Sequence, residues 1–220
     1  MEVVAILPCA GQGVRFAYAR NKLFYRVNGK PILQHTLDRL ALSGAVHCFV
    51  LAVSEADRGR AEKLDFHGVR HLLVTGGATR TASVLAGLEA APPRSLVLIH
   101  DGARPFPSDE VIRGCIRSVR QHGSGIAAVP CADTLKRAEN GKITEDLSRE
   151  NVFQIQTPQG FWREEILAAL RRFPGQSFPD ESSVYTAAGL PVYLSPGSPF
   201  NQKITVKEDL KYFLSDPKKT

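Results

Sequence analysis

The stretch that decides the fold is residues 3–15, VVAILPCAGQGVR, in which an apolar run ends in a loop of small residues. The run 3–7 is apolar at every position, which is typical of a strand buried on both faces of a parallel sheet. Gly11 and Gly13 follow closely, and Arg15 adds a cation. Because ligands in open α/β sheets bind beyond the carboxyl ends of the strands, this loop is the first candidate site.

Further apolar runs alternate with amphipathic segments over the first 130 residues, and a helical pattern returns near the end. The predicted strands are 3–7, 46–53, 69–74, 96–100, 125–129 and 190–194. The predicted helices are 31–43, 54–66, 81–91, 108–122, 163–172, 181–188 and 205–214, the last opening on a capping box at Thr205. This order predicts an α/β fold, a Rossmann-like, doubly wound and mainly parallel sheet.

The alternation stops after Pro130. Segments 134–138 and 143–147 flank Asn140-Gly141, and Asn-Gly is the strongest short signal for a β-hairpin. We therefore predict a hairpin arm, residues 131–152, projecting from a single domain that spans residues 1–220. An isolated ribbon of this polarity is only marginally stable. It lies either against a neighbouring subunit or, as a solvated hairpin, on its own domain.

Composition narrows the class of protein. The chain has 220 residues, 43% of them hydrophobic, and a formal net charge of +6. No run approaches the roughly 18 apolar residues of a membrane helix, no basic segment precedes the first apolar run, and the four cysteines are far apart. We expect a cytoplasmic protein without a disulfide scaffold or zinc knuckle. The basic charge fits nucleic acid, a membrane surface or a small polyanionic substrate, or it is an ordinary surface property.

Two familiar glycine motifs are absent. The dinucleotide-binding pattern would need Gly or Ala where Phe16 stands, with a helix directly after it, whereas residues 17–26 are predicted to be an irregular loop. The pattern G-x-x-x-x-G-K-[ST] of P-loop proteins does not occur. Both absences argue against an NAD enzyme and a P-loop NTPase.

Three later loops carry candidate groups. The turn 75–83 has two glycines and places Arg80 and Ser83 one helical turn apart; it could hold a base or ribose, or be a simple strand-to-helix turn. Asp101 follows the fourth strand, three residues before Arg104, and suits Mg²⁺ beside phosphates, although an Asp that caps the next turn looks the same. Lys203 precedes a predicted helix, where it could meet an anion or be an ordinary surface lysine.

Together these loops fit nucleotidyl transfer better than hydrolysis or redox chemistry. A phosphate monoester that attacks a nucleoside triphosphate is already ionised, since its second pKa is about 6, so no general base is needed. The six histidines therefore require no catalytic role. Two unit charges about 4 Å apart repel by roughly 4 kcal/mol at an effective dielectric constant of 20, and several cations are needed to offset this.

The ordered set of motifs resembles the 2-C-methyl-D-erythritol 4-phosphate cytidylyltransferase family over residues 3–214. The motifs are Pro8-x-Ala10-Gly11-x-Gly13-x-Arg15 with Asn21-Lys22, Gly76-Gly77-x-x-Arg80-x-x-Ser83, His100-Asp101-x-Ala103-Arg104-Pro105, Thr157-Pro158-Gln159, Asp180-Glu181-x-Ser183 and Lys203-Ile204-Thr205. The resemblance implies a sheet of the nucleotidyltransferase type. It also implies a reaction that requires Mg²⁺, in which CTP and methylerythritol phosphate give a CDP-alcohol and pyrophosphate.

The resemblance also implies roles for individual residues. Catalytic groups would be Arg15, Lys22 and Lys203, and Asp101 would bind the metal. The nucleotide would contact Pro8, Ala10, Gly11, Gly13, Gly77, Arg80 and Ser83. The sugar phosphate would contact Asp101, Arg104, Thr134, Arg149 and Lys203. Family members are homodimers whose arms cross into the partner's site, which would support the 131–152 hairpin.

Three positions depart from the family pattern. Cys9 replaces the usual Ala, Ala78 stands where an acidic residue is frequent, and Pro179 replaces a Thr that contacts substrate. Proline has neither a hydroxyl nor an amide donor, so a cytidylyltransferase for ribitol 5-phosphate or another polyol or sugar phosphate stays open. A non-catalytic module that binds anions or nucleic acid is a remote alternative, because no basic helix stripe with interleaved aromatics appears. We therefore expect small-molecule partners, with no nucleic acid and no membrane.

Overall fold

The structure is a computed structural model that describes residues 1–11, 16–18 and 20–213. The strands are β1 Val3–Pro8, β2 Arg26–Val27, β3 Lys30–Pro31, β4 Cys48–Val53, β5 Arg70–Thr75, β6 Leu96–Ile99, β7 Ser124–Pro130, β8 Leu135–Glu139, β9 Lys142–Leu147, β10 Phe153–Trp162 and β11 Leu194–Pro196. The α-helices are α1 Ile32–Leu42, α2 Glu55–Ala61, α3 Arg80–Ala90, α4 Asp109–His122, α5 Arg163–Arg171 and α6 Glu181–Ala187. In the described part of the chain, 3-10 helices span Lys22–Phe24 and Lys207–Phe213.

Seven strands form the central sheet in the order β11-β7-β10-β6-β1-β4-β5. Strand β1 pairs in parallel with β4 and β6, and β10 runs antiparallel between β6 and β7. The chain thus starts in the middle of the sheet and winds outward in both directions. The predicted α/β, doubly wound and mainly parallel fold is confirmed.

Each face of the sheet is covered by helices. Alternate residues of β1 divide between two apolar cores, with Ala5 and Leu7 in one and Val4 and Ile6 in the other. Side chains of α1, α2 and α4 contribute to the first core, and those of α3, α5 and α6 to the second. Because both faces are buried, β1 is apolar at consecutive positions, as a strand of a covered parallel sheet requires.

A third apolar cluster lies apart from the sheet and joins two distant parts of the chain. Its buried members are Phe16, Ile32, Ile204 and Phe213. Phe213 makes an edge contact with Phe106, at a ring-centroid distance of 4.9 Å. The cluster therefore fastens the segment that carries Lys203 to the loop that carries Lys22.

Four predictions from the pattern need correction. The strand predicted at 69–74 forms as β5 but is an edge strand, so Leu72 is 38% exposed instead of buried. The helix predicted over 54–66 ends at Ala61, where turn hydrogen bonds from Glu62, Lys63 and Leu64 replace it. The strand predicted at 190–194 pairs only from Leu194 onward.

The fourth correction concerns the chain's last helix. The segment from Lys207 is a 3-10 helix, and its start is capped by Asp209, whose carboxylate accepts hydrogen bonds from the amides of Thr205 (2.7 Å) and Val206 (3.0 Å). The predicted capping box, with Thr205 as the capping side chain, is therefore wrong. Leu214, the predicted end of this helix, lies outside the described residues.

The arm hairpin forms as predicted. Strands β8 and β9 pair with each other in a separate two-stranded sheet, and Asn140 and Gly141 at the turn have φ angles of 50° and 81°. Positive φ at both central residues is what a tight two-residue hairpin requires. Most of the ribbon is exposed, including Ile143 at 61%. None of the helices that the structure describes is both long and apolar enough to cross a membrane.

Candidate active site

One cavity of about 230 Å³ collects the loops that follow β1, β5 and β6. Its wall also includes the 3-10 helix at Lys22 and the segment that precedes the C-terminal 3-10 helix. Most predicted site residues line it: Pro8, Ala10, Gly11, Lys22, Gly77, Arg80, Ser83, Asp101 and Lys203. The parallel strands β1, β5 and β6 end at the same edge of the sheet, which explains why residues far apart in sequence meet here.

Other predicted site residues lie elsewhere. Arg104 does not line the cavity but stands beside Asp101, with its Nε atom 3.9 Å from the Asp101 carboxylate. Thr134 and Arg149 are exposed at the base of the arm and do not line this cavity. Gly13 and Arg15 fall outside the described residues.

Asp101 is the electrostatic centre of the cavity. Its Oδ2 atom accepts a hydrogen bond from Lys203 Nζ at 2.7 Å, and its Oδ1 atom accepts one from Arg80 Nε at 3.2 Å. Burial raises the pKa of Asp101, but the nearby cations Arg80, Lys203 and Arg104 lower it by more, so the pKa lies well below its usual range. The carboxyl group is therefore ionised at neutral pH and holds three cations in place.

Arg80 connects Asp101 to a second carboxylate. It begins α3, which Thr79 caps by accepting the amide hydrogen of Ala82 at 3.0 Å. Its Nη1 and Nη2 atoms donate to the two oxygens of Glu181 at 2.6 and 3.0 Å. Such a two-pronged arrangement fixes the plane of the guanidinium. The side chain thus acts as a bridge between two carboxylates within the cavity wall.

Replacing Arg80 should destabilise the protein strongly. Glu181 is only 2% exposed, so Arg80→Gln would leave a buried carboxylate without its cation. We expect the free energy of unfolding to fall by about 3–5 kcal/mol, measured by urea denaturation. The control is Arg171→Gln, which breaks an exposed pair with Glu89 and should cost about 1 kcal/mol or less. Equal losses in the two variants would contradict this assignment.

Lys22 is positioned from both of its ends. At the backbone end, the side chain of the preceding Asn21 caps the 3-10 helix: its Oδ1 atom accepts the amide hydrogen of Leu23 at 3.1 Å, and its Nδ2 atom donates to the carbonyl of Cys9 at 2.7 Å. At the side-chain end, Nζ donates to the carbonyl oxygen of Ile204 at 2.7 Å. The ammonium group is thereby held at the cavity, beside the segment that carries Lys203.

The two glycine-containing turns are in close contact. A Cβ atom added to Gly76 would lie 2.5 Å from the Cβ of Ala10, so only glycine permits the two loops to approach this closely. Ser83, at the other side, donates its hydroxyl to the carbonyl of Thr79 at 3.0 Å and is 2% exposed. This packing makes one continuous wall of backbone from the first and second loops, as a nucleotide site needs.

The protein's donor atoms fit Mg²⁺ only if a bound triphosphate supplies further ligands. Among the residues that the structure describes, no group of three or more His, Cys, Asp and Glu side chains could hold a metal by itself. Asp101 offers one ionised carboxylate, and Mg²⁺ is commonly bound by one or two carboxylates with phosphate oxygens and waters as the other ligands. The chain's residues therefore fit Mg²⁺ that is bound together with a triphosphate.

Sequence reasoning gave no role to three residues that build this site. Glu181 occurs in one of the family motifs, but its position directly after the helix-capping Asp180 does not predict that it pairs with Arg80. Asn21 is 6% exposed, and its three hydrogen bonds tie Lys22 to Cys9, directly after β1, and to Asp57. His100, read as merely structural, is fully buried directly before Asp101, and burial lowers its pKa to about 4.

Comparisons with known proteins agree on one family. The family model described as 2-C-methyl-D-erythritol 4-phosphate cytidylyltransferase matches residues 3–213. A protein of that name from Bacillus cereus is 37% identical over 210 residues, covering 93% of each chain. The crystal structure of 4-diphosphocytidyl-2C-methyl-D-erythritol synthase from Anaerococcus prevotii superposes with a TM-score of 0.82 at 29% identity, covering 97% of this chain and 98% of the other. The cytidylyltransferase from Thermus thermophilus gives 0.79 at 29% identity, covering 96% and 97%.

Proposed function

The chain belongs to the 2-C-methyl-D-erythritol 4-phosphate cytidylyltransferase family, and on that premise we propose that the cavity at Asp101 performs its reaction by direct attack of one phosphate on another. An oxygen of the polyol phosphate forms a bond to the α-phosphorus of CTP. The bond from that phosphorus to the β-phosphate oxygen breaks, and pyrophosphate leaves. The attacking oxygen is already ionised near neutral pH, so no side chain has to remove a proton.

One observation carries this mechanism: the cavity collects cations from separate loops, three of which surround the ionised carboxylate of Asp101. Lys22 and Lys203 line the cavity from two segments that are far apart in the sequence, and Arg80 and Arg104 stand beside Asp101. Two anionic substrates repel each other, and preorganised cations offset that repulsion without rearrangement during the reaction. Lys22 and Lys203 therefore stabilise the charge that accumulates on the phosphate oxygens.

The positions of the lining residues support the binding roles that we propose. The backbone of Pro8, Ala10 and Gly11, with Gly77 and Ser83 opposite, offers amides and carbonyls to a nucleotide. Gly13 and Arg15 complete this loop in the family pattern. Arg104 and Asp101 face the polyol phosphate, and the carboxylate of Asp101 would also hold Mg²⁺. When bound, Mg²⁺ neutralises triphosphate charge and favours departure of pyrophosphate.

A screen of substrates tests this function. Pyrophosphate release is measured for the purified chain with each of four nucleoside triphosphates and several polyol phosphates, with and without Mg²⁺. We expect the highest kcat/KM with CTP and methylerythritol phosphate. Pro179, in place of the family's Thr, makes ribitol 5-phosphate the most useful competitor. Turnover with ribitol 5-phosphate but not with methylerythritol phosphate would overturn the assignment of the polyol.

We also propose that the chain works as a homodimer through the 131–152 arm. Thr134 and Arg149 lie on the exposed arm, away from their own chain's cavity, and crossed arms would bring them to the partner's polyol phosphate. The arm presents exposed apolar side chains at Ile143 and Val152, and Phe153 next to it is exposed as well. A cytoplasmic location fits the four free cysteines, since thiols stay reduced in that compartment.

A charge on the arm should separate the subunits. Ile143→Glu is expected to weaken dimerisation by at least about a hundredfold, because a two-fold interface loses the buried side chain twice, at about 1.5–3 kcal/mol each. Sedimentation velocity over a range of concentrations measures this. Leu42→Glu, at a residue 74% exposed on the end of α1, is the control and should leave the association unchanged. A dimer that persists equally in both variants would exclude the arm as the interface.

A further inference from the structure

A buried hydrogen-bond network begins at His100, at the end of β6. The imidazole Nε2 lies 3.0 Å from the carbonyl oxygen of Arg104, and Nδ1 lies 3.3 Å from the hydroxyl of Thr157 on β10. His100 is fully buried and Thr157 is 4% exposed, so water does not compete for these groups. The imidazole therefore connects the two ends of the loop 100–104 to the neighbouring strand.

The partners determine which nitrogen carries the proton. The carbonyl of Arg104 can only accept, so Nε2 must be the protonated nitrogen of a neutral ring. The Thr157 oxygen already accepts the amide hydrogen of Asp101 at 3.0 Å, which leaves its own hydrogen to donate to Nδ1. Every polar atom of the His100 side chain is thus satisfied in one tautomer. The arrangement also fixes the backbone amide of Asp101.

The network continues to the segment that carries Lys203. Arg104 donates from Nη1 to the backbone carbonyl of Asn201 at 2.8 Å. The side-chain amide of Asn201 in turn donates to the backbone carbonyl of Thr157 at 2.8 Å. The four residues His100, Arg104, Asn201 and Thr157 form a closed ring, named here the loop-fixing ring. Asn201 is fully buried and stands two residues before Lys203. Asp101, Arg104 and Lys203 are therefore all attached to this ring.

We propose that His100 is a positioning residue for cytidylyl transfer, acting through the main chain of Arg104 and Asp101. The inference rests on the roles proposed above for those two residues and extends them to a side chain that touches no substrate. Shifts of about 1 Å in reacting groups cost about a hundredfold in rate. The hydrogen bond from Nε2 to Arg104 sets the distance between the two side chains that face the polyol phosphate.

Two substitutions separate positioning from packing. Glutamine has an amide that reaches as far as Nε2, so His100→Gln can retain the bond to the Arg104 carbonyl. Asparagine reaches only as far as Nδ1, so His100→Asn keeps the contact with Thr157 and loses the one with Arg104. We expect kcat/KM for methylerythritol phosphate to fall about 50- to 100-fold in His100→Asn and less than about fivefold in His100→Gln. The dissociation constant for CTP, measured by calorimetry, should change less than twofold in both.

The control is Ser124→Ala, which removes a buried hydroxyl at the opposite end of the sheet, where it bonds Pro191 and Tyr193. This variant should lose thermal stability without a change in kcat/KM. The proposal is overturned if His100→Asn stays within threefold of the parent, if both His100 variants lose activity equally, or if Ser124→Ala shows the same kinetic loss at a matched melting temperature.

If His100→Asn does not fold, a second pair of variants tests the positioning role of His100. Thr157→Val removes the hydroxyl from the loop-fixing ring, and Thr157→Ser restores it. We expect the valine variant to lose kcat/KM for the polyol phosphate, because His100 Nδ1 and the Asp101 amide both lose their partner, whereas His100→Gln leaves the Asp101 amide paired. The serine variant should recover kcat/KM, with CTP affinity unchanged in both. Equal activity of the two variants overturns the proposal. Failure of the proposed function is distinct, because the unsubstituted chain itself would then release no pyrophosphate from CTP and methylerythritol phosphate.

Discussion

Lys22→Ala is expected to lower kcat by about 10² to 10³ fold while the dissociation constant for CTP rises less than tenfold. The ammonium is held 2.7 Å from the Ile204 carbonyl, so it is already placed in the cavity before substrate arrives. A charge fixed in advance acts mainly where new charge develops, which is in the transition state. Single-turnover rates at saturating substrates, together with calorimetric binding of CTP, measure the two effects separately.

The matched control is Lys30→Ala, which removes a lysine near the same loop whose ammonium pairs with Asp38 at 2.6 Å. Lys30 is exposed and does not line the active cavity, so kcat should stay within twofold of the parent. Near-normal kcat in Lys22→Ala would contradict the role given to this side chain. A loss confined to CTP affinity would reassign Lys22 to ground-state binding.

Asp101→Asn should lower kcat/KM by about a thousandfold, which corresponds to about 4 kcal/mol of transition-state stabilisation. The substitution removes the charge that holds Lys203 at 2.7 Å and Arg80 at 3.2 Å, and it replaces an ionised oxygen ligand with a neutral amide. The three neighbouring cations then repel one another and the metal alike. Activity measured over a titration of Mg²⁺ should lose its dependence on the metal.

Asp109→Asn serves as the control for this second experiment. Asp109 is exposed in the first turn of α4, outside the cavity, and its loss should leave the metal titration unchanged. An Asp101→Asn enzyme whose Mg²⁺ curve coincides with that of the parent would exclude Asp101 as the metal ligand. Its remaining role would then be to hold the cations.

Local sequence patterns predicted the central strands because burial on both faces leaves a continuous apolar run, as in β1. The same reasoning failed for β5, since the pattern shows that side chains are apolar and does not show on which edge the strand lies. Strand β10 was not predicted at all. Its segment mixes Gln, Thr, Pro and Gly, and its pairing register shifts between Ile155 and Gln159, so no regular alternation is visible.

The residues of the candidate site also fall into those that local sequence patterns predict and those that they do not. Groups that follow strands, such as Asp101 and Ser83, could be predicted because strand ends determine their place. Partnerships across the sheet could not be predicted from local pattern. Glu181 lies 101 residues from Arg80, and Asn201 lies 97 residues from Arg104, so only the fold brings these pairs together.

The third apolar cluster joins the two segments that carry the active-site lysines. It packs Phe16 and Ile32, next to the loop of Lys22, against Ile204 and Phe213, next to Lys203, and it is separate from both cores of the sheet. Small peripheral clusters open locally at lower free energy than the core does. Opening this one would move both ammonium groups away together while β1 and β6 stay paired. Such a local opening would admit two charged substrates and release pyrophosphate without any change in the central sheet.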